Sequence, residues 1–108
     1  MTITPKDLGQ KALTVADQTI YTAPALTTTT LRTVTVCNTT GGTVLVTVYK
    51  VPSGQVAGDG YALMRDLLVP GRGVAQDDGV HVIETGGTVV AHASAVGLTI
   101  SLDGAEVT

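Results

Sequence analysis

The candidate metal ligands are His81, His92, Cys37, Asp77, Asp78 and Glu84. A zinc site takes three or four N, S or O ligands, commonly in spaced pairs such as CxxC or HExxH. Neither pair occurs. If the strands flanking Thr85-Gly86-Gly87 pair with each other, His81 and His92 become cross-strand neighbours, still short of a full ligand set. In a symmetric oligomer one histidine per subunit can meet its copies on an axis, and His92 is then the choice over His81. Asp77-Asp78-Gly79 and Gly58-Asp59-Gly60 offer oxygens to calcium. Calcium takes six to eight of them, and aspartates beside glycine are ordinary turn formers. No metal and no cofactor are expected.

Nucleophile chemistry is equally thin. Ser53, Ser94 and Ser101 lack a GxSxG elbow. Cys37 has no histidine near it in sequence and reads as a small, half-buried residue. Gly71-Arg72-Gly73 resembles the start of a phosphate loop but lacks the third glycine and a following helix. A glycosidase or a sugar-binding face uses aromatic side chains, and the chain has three tyrosines, no Phe and no Trp. Tyr21, Tyr49 and Tyr61 are thus the candidates for a sugar platform, with core or interface packing as their plainer role. The expectation is a protein that is not an enzyme.

The elements that must carry these residues are strands. Residues 28–51 are dominated by threonine and valine, β-branched residues that suit a pleated surface. They predict two strands joined as a hairpin at Asn38-Thr39-Thr40-Gly41-Gly42, the Gly-Gly pair supplying a positive φ. Val44, Val46 and Val48 share one face of the second strand, and Leu45, Thr47 and Tyr49 the other. On the first strand Val34 and Val36 oppose Leu31, Thr33, Thr35 and Cys37. Residues 1–10 lack periodicity and read as an arm anchored by Leu8. Short strands are expected at 12–15, 19–22, 80–84, 88–95, 98–102 and 105–108, with turns at Asp17-Gln18, Pro52-Ser53-Gly54, Pro70-Gly71, Thr85-Gly86-Gly87 and Asp103-Gly104. Residues 61–69 have helix-compatible leucines but lie between glycine and proline breakers, and are read as part strand. The fold class is all-β: an antiparallel β-sandwich of about eight short strands, jelly-roll or immunoglobulin-like. One domain, residues 11–108, follows the arm.

At 108 residues the chain is 44% hydrophobic and only 14% charged, with a mean hydropathy of +0.35. About a quarter charged is usual for a soluble domain. This favours apolar surface covered by other subunits. The net charge of −3, with six scattered cations, argues against nucleic acid as a partner. No run approaches the ~20 apolar residues of a membrane-spanning helix. The N-terminus lacks the apolar segment of a signal peptide, so synthesis in a cytoplasm is expected.

Several segments resemble a family of small virion proteins of tailed bacteriophages and prophages. They are Tyr21-Thr22-Ala23-Pro24, Val36-Cys37-Asn38, Val51-Pro52-Ser53-Gly54, Glu84-Thr85-Gly86-Gly87 and Glu106-Val107-Thr108, and the resemblance covers nearly all of the chain after Asp17. Residues 61–74 depart from it, being more apolar and more broken by Gly and Pro. The resemblance implies a β-sandwich component of the particle. The expected role is a capsid decoration (cement) protein on the outer capsid surface, bridging neighbouring major capsid protein subunits as a homotrimer. Pro5, Lys6, Leu8, Tyr21, Tyr49, Tyr61 and Arg72 are the expected partner contacts. A tail, head–tail junction or fibre component is the alternative, and a carbohydrate-binding module aiding host attachment the alternative of another class.

Overall fold

The computed structural model describes residues 2–108; Met1, the first residue of the expected arm, lies outside them. Among the described residues the strands are β1 (Ile3–Ala12), β2 (Gln18–Thr22), β3 (Thr28–Asn38), β4 (Val44–Val51), β5 (Ala62–Val69), β6 (Val74–Asp77), β7 (His81–Ile83), β8 (Thr88–Ala93) and β9 (Leu98–Val107). A single 3-10 turn, Asp59–Tyr61, precedes β5. One sheet runs β1-β9-β3, with β6 and β7 both on the far side of β3; the other runs β2-β8-β4-β5. All pairings are antiparallel.

This order selects the jelly roll. Counting β6 and β7 as one interrupted strand, the first strand pairs with the last, the second with the last but one, the third with β6/β7, and the fourth with the fifth. The chain is therefore one long folded-over hairpin wrapped into two layers. The interruption has a local cause. Asp77 Oδ1 accepts the Gly79 N–H at 2.7 Å, a turn that lifts residues 78–80 off β3.

The core follows from alternation. Val34, Val36, Ile100 and Leu102 project from one sheet onto Val46, Val48, Val89 and Ala91 of the other, each at most 1% exposed. One correction concerns β3, where Leu31 joins Val34 and Val36 in the core instead of opposing them. The register against β9 shifts between Leu31 and Thr33, so Arg32 is an extra residue. A bulge resets the two-residue alternation, so both stretches bury their apolar side.

The expected hairpin is also corrected. Its strands are where the sequence predicts them, but β3 and β4 lie in different sheets and do not pair. Residues 39–43 cross the end of the sandwich, held by buried Asn38. Its Nδ2 donates to the Gly42 and Val69 carbonyls at 2.8 and 3.1 Å, and its Oδ1 accepts from Thr40 N at 2.9 Å. Gly41 and Gly42 do not take positive φ; Gly54, Gly86 and Gly97 do. A valine face can be buried by a neighbouring strand's sheet or by the facing sheet, and strand pattern alone does not distinguish these. The turn at Thr85-Gly86-Gly87 behaves likewise, linking β7 of one sheet to β8 of the other. β4 is an interior strand, flanked by β8 and β5.

The expected arm is an edge strand. β1 pairs with β9 from Ile3 to Ala12, and its bulge at Leu8 turns that side chain into the core at 6% exposure. Its weak periodicity has a simple origin: most of its residues face solvent. Of residues 12–15 only Ala12 is strand, although Leu13 is 1% exposed and its N–H bonds to the Leu98 carbonyl. β9 runs unbroken through the expected turn at Asp103-Gly104. Gly104 is needed there for close approach: a Cβ on it would sit 2.1 Å from the Thr30 carbonyl oxygen. Residues 62–69 are strand, as read from the sequence.

Candidate functional site

Of the expected contact residues, the fold brings Lys6, Leu8 and Tyr21 to one end of the sandwich. Tyr21 projects from β2 into the core, its ring 8% exposed. Its Oη donates to Glu106 Oε2 on β9 at 2.6 Å. Thr29 Oγ1 on β3 lies 2.7 Å from the same Oη. Since the phenol proton is committed to the carboxylate, the threonine hydroxyl is the donor of that second bond. Lys6 Nζ on β1 donates to the other carboxylate oxygen of Glu106 at 3.1 Å. One hydrogen-bonded network thus links four strands from both sheets, with the Glu106 carboxylate accepting from Tyr21 and Lys6 and the Tyr21 hydroxyl accepting from Thr29.

The electrostatics follow from that wiring. Burial, then the bond to the Glu106 carboxylate, pushes the Tyr21 phenol up to about 12. The Tyr21 hydroxyl and the Lys6 ammonium hold the Glu106 carboxyl below its usual range. A phenol that keeps its proton and a carboxylate that keeps its charge make a stable bond, suited to clamping the layers together. Neither is poised for proton transfer near neutral pH.

The remaining candidates are dispersed. Leu8 and Tyr49 are 6% exposed and, like Tyr21, offer a partner almost no surface. This corrects the expectation for those three, because each is packed beneath neighbouring strands or loops. Pro5 is exposed and Tyr61 half-buried, while Arg72 sits with φ +57 in the turn after β5, its N–H bonded to the Thr40 carbonyl at 2.8 Å. The histidines do not meet: His81 is on β7 of one sheet and His92 on β8 of the other. Each donates to its own aspartate, His81 Nε2 to Asp77 Oδ2 at 3.1 Å and His92 Nδ1 to Asp17 Oδ1 at 2.6 Å. The Gly79 N–H and then His81 keep the Asp77 carboxyl below its ordinary range. Among the described residues no three His, Cys, Asp or Glu side chains come together as metal ligands. A cleft of about 180 Å³ lies between the ends of β4 and β7, lined by Lys50, Val51, Pro52, Val82, Ile83 and Glu84 among others.

One residue the sequence did not mark out is Leu26. It is 92% exposed and holds φ +57, a conformation that costs a leucine roughly 1–2 kcal/mol. The turn is fixed on both sides. Thr27 N–H bonds to Thr85 Oγ1 at 3.1 Å, that hydroxyl donates back to the Thr27 carbonyl at 2.7 Å, and Gly86 N–H bonds to the Ala23 carbonyl at 3.0 Å. The β4–β5 loop reaches the same end, with Ser53 against Gly86 and Val56 83% exposed. Nothing in Thr22-Ala23-Pro24-Ala25-Leu26 signals a strained backbone; the cross-loop hydrogen bonds impose it.

Comparison of the chain with protein-family models, with curated proteins and with solved structures finds no match.

Proposed function

We propose that this protein is a structural component of a tailed-phage virion, a decoration protein that attaches to the assembled capsid and bridges neighbouring major capsid protein subunits. Leu26 is the observation that carries the reading. A large apolar side chain, held out in water on a rigid and strained turn, suits insertion into a pocket of another protein. Exposed Val56 at the same end, and the low overall charge, point the same way. Binding only to the assembled lattice would stabilise that state by mass action. The resemblance noted in the sequence supports a virion setting; the jelly roll itself hosts many functions. The tyrosines weigh against a sugar-binding role, since Tyr21 and Tyr49 are too buried to form a platform.

Co-sedimentation with shells assembled from the major capsid protein tests this. Wild-type protein is expected to pellet with shells, in numbers matching lattice positions, and not with unassembled capsid subunits. Leu26→Asp is expected to abolish pelleting without lowering Tm. Wild-type protein left in the supernatant would refute the decoration role, and a handful of copies per particle would move the protein to tail or neck.

A further inference from the structure

The outer face of the β1-β9-β3-β6/β7 sheet carries few charges, arranged in a specific way. Asp7 and Asp103 lie directly opposite each other on β1 and β9, with Thr33 of β3 next in the same rank. Like charges in that relation repel. Arg32, the extra residue of the β3 bulge, is exposed beside them. Among the described residues it has no carboxylate within ion-pair distance, and neither aspartate has a cation. The next rank runs Pro5, Ala105, Thr30, Val82, and beyond it Ile3 pairs with Val107. Ile3 is 59% and Val82 46% exposed. A bulge thus places an unpaired cation and an unpaired acidic pair beside an apolar strip on one sheet face.

We infer that this face is the contact between two copies of the chain, packed sheet to sheet about a two-fold axis parallel to the strands. An axis between β9 and β3 lays β9 of each copy over β3 of the other. Asp103 then faces Arg32 of the second copy, twice, and Pro5 faces its Val82, twice. The Asp103–Arg32 and Pro5–Val82 contacts both come from a single operator and the existing register, which is what self-complementarity in an isologous contact requires. The area is adequate. Four strands about 4.8 Å apart and ten residues long at about 3.3 Å each give roughly 600 Å² per copy, against about 800 Å² in a standard interface. Facing sheets pack about 10 Å apart, close enough for these side chains to meet. The contact is two-fold, so it builds pairs in place of the trimer that the resemblance implies. It leaves Leu26, at the sandwich end, free.

Sedimentation equilibrium of the full chain tests the inference. Wild-type protein is expected to dimerise at concentrations on the order of 10 µM, near the weak end of the range that interfaces of roughly this size span. Arg32→Asp and Asp103→Arg each place like charges opposite each other and should raise Kd at least tenfold. The double variant R32D/D103R restores opposite charges and should return Kd to within about threefold of wild type. Val82→Glu, in the apolar rank, should also raise Kd at least tenfold. Thermal melts verify that each variant is folded. A wild-type monomer up to about 1 mM overturns the inference and leaves the face to another partner. Single variants that dimerise like wild type overturn it too, as does a double variant as weak as the singles.

Discussion

Tyr21 on β2 and Glu106 on β9 join the two sheets through one 2.6 Å hydrogen bond, donated by the phenol to the carboxylate. A jelly roll is held mainly by non-directional apolar contact between layers. A directed polar bond between them fixes how one layer sits on the other. The same bond ties the last strand, through Lys6, to the first.

Tyr21→Phe keeps the ring and removes the hydroxyl, leaving Thr29 and one Glu106 oxygen without a partner. The expected loss is about 1–3 kcal/mol in denaturant unfolding. Lys6→Ala should cost less than about 1 kcal/mol, because Lys6 is half-exposed and the pair is partly solvated. Equal losses for the two would contradict the clamp.

Stability should fall at both ends of the pH range, for different reasons. The Tyr21 phenol is raised from 10.0 to about 12 in the folded protein, so the fold favours its protonated form. That contribution is complete below pH 10 and is lost as pH rises from about 10 to about 12. Glu106 and Asp77 are held below their ordinary values, so the fold favours their charged forms. Their contribution is present above the ordinary carboxylate range and is lost as pH falls through and below it. Tm measured against pH should show both limbs; Tyr21→Phe should flatten the alkaline one and shrink the acid one by the share of Glu106 that the phenol supports, leaving that of Asp77.

Removing residues 1–10 should unfold or aggregate the protein, because it strips Leu8 from the core and bares the edge of β9. Leu8→Ala alone should cost about 2–4 kcal/mol. A truncated chain that melts cooperatively near the wild-type Tm would show β1 to be dispensable.

Leu26→Asn should raise stability by up to about 1 kcal/mol, since asparagine tolerates positive φ and no packing is lost at 92% exposure. The same substitution should weaken shell binding, measured by co-sedimentation. A more stable protein that binds less well marks strain kept for function.

The strands themselves were legible in the sequence. Apolar residues at alternating positions mark β3, β4, β8 and the first half of β9 because a strand's side-chain period is local. Breakers at Pro52, Gly58 and Pro70 bound their segments for the same reason. The partners of those strands were not legible. Whether Val44, Val46 and Val48 meet Val34 and Val36 along one sheet or across the core depends on contacts dozens of residues apart, and only the assembled layers decide it. Two bulges, at Leu8 and Arg32, are also set by cross-strand register. One of them hides Leu8, and the other brings Arg32 out beside Asp103. The sequence established a low-charge, aromatic-poor, strand-rich protein without a CxxC or HExxH ligand pair. Tertiary structure decided that Tyr21 bonds Glu106, 85 residues away, and that Leu26 is pinned in solvent. Both depend on hydrogen bonds between segments that only the folded chain brings together.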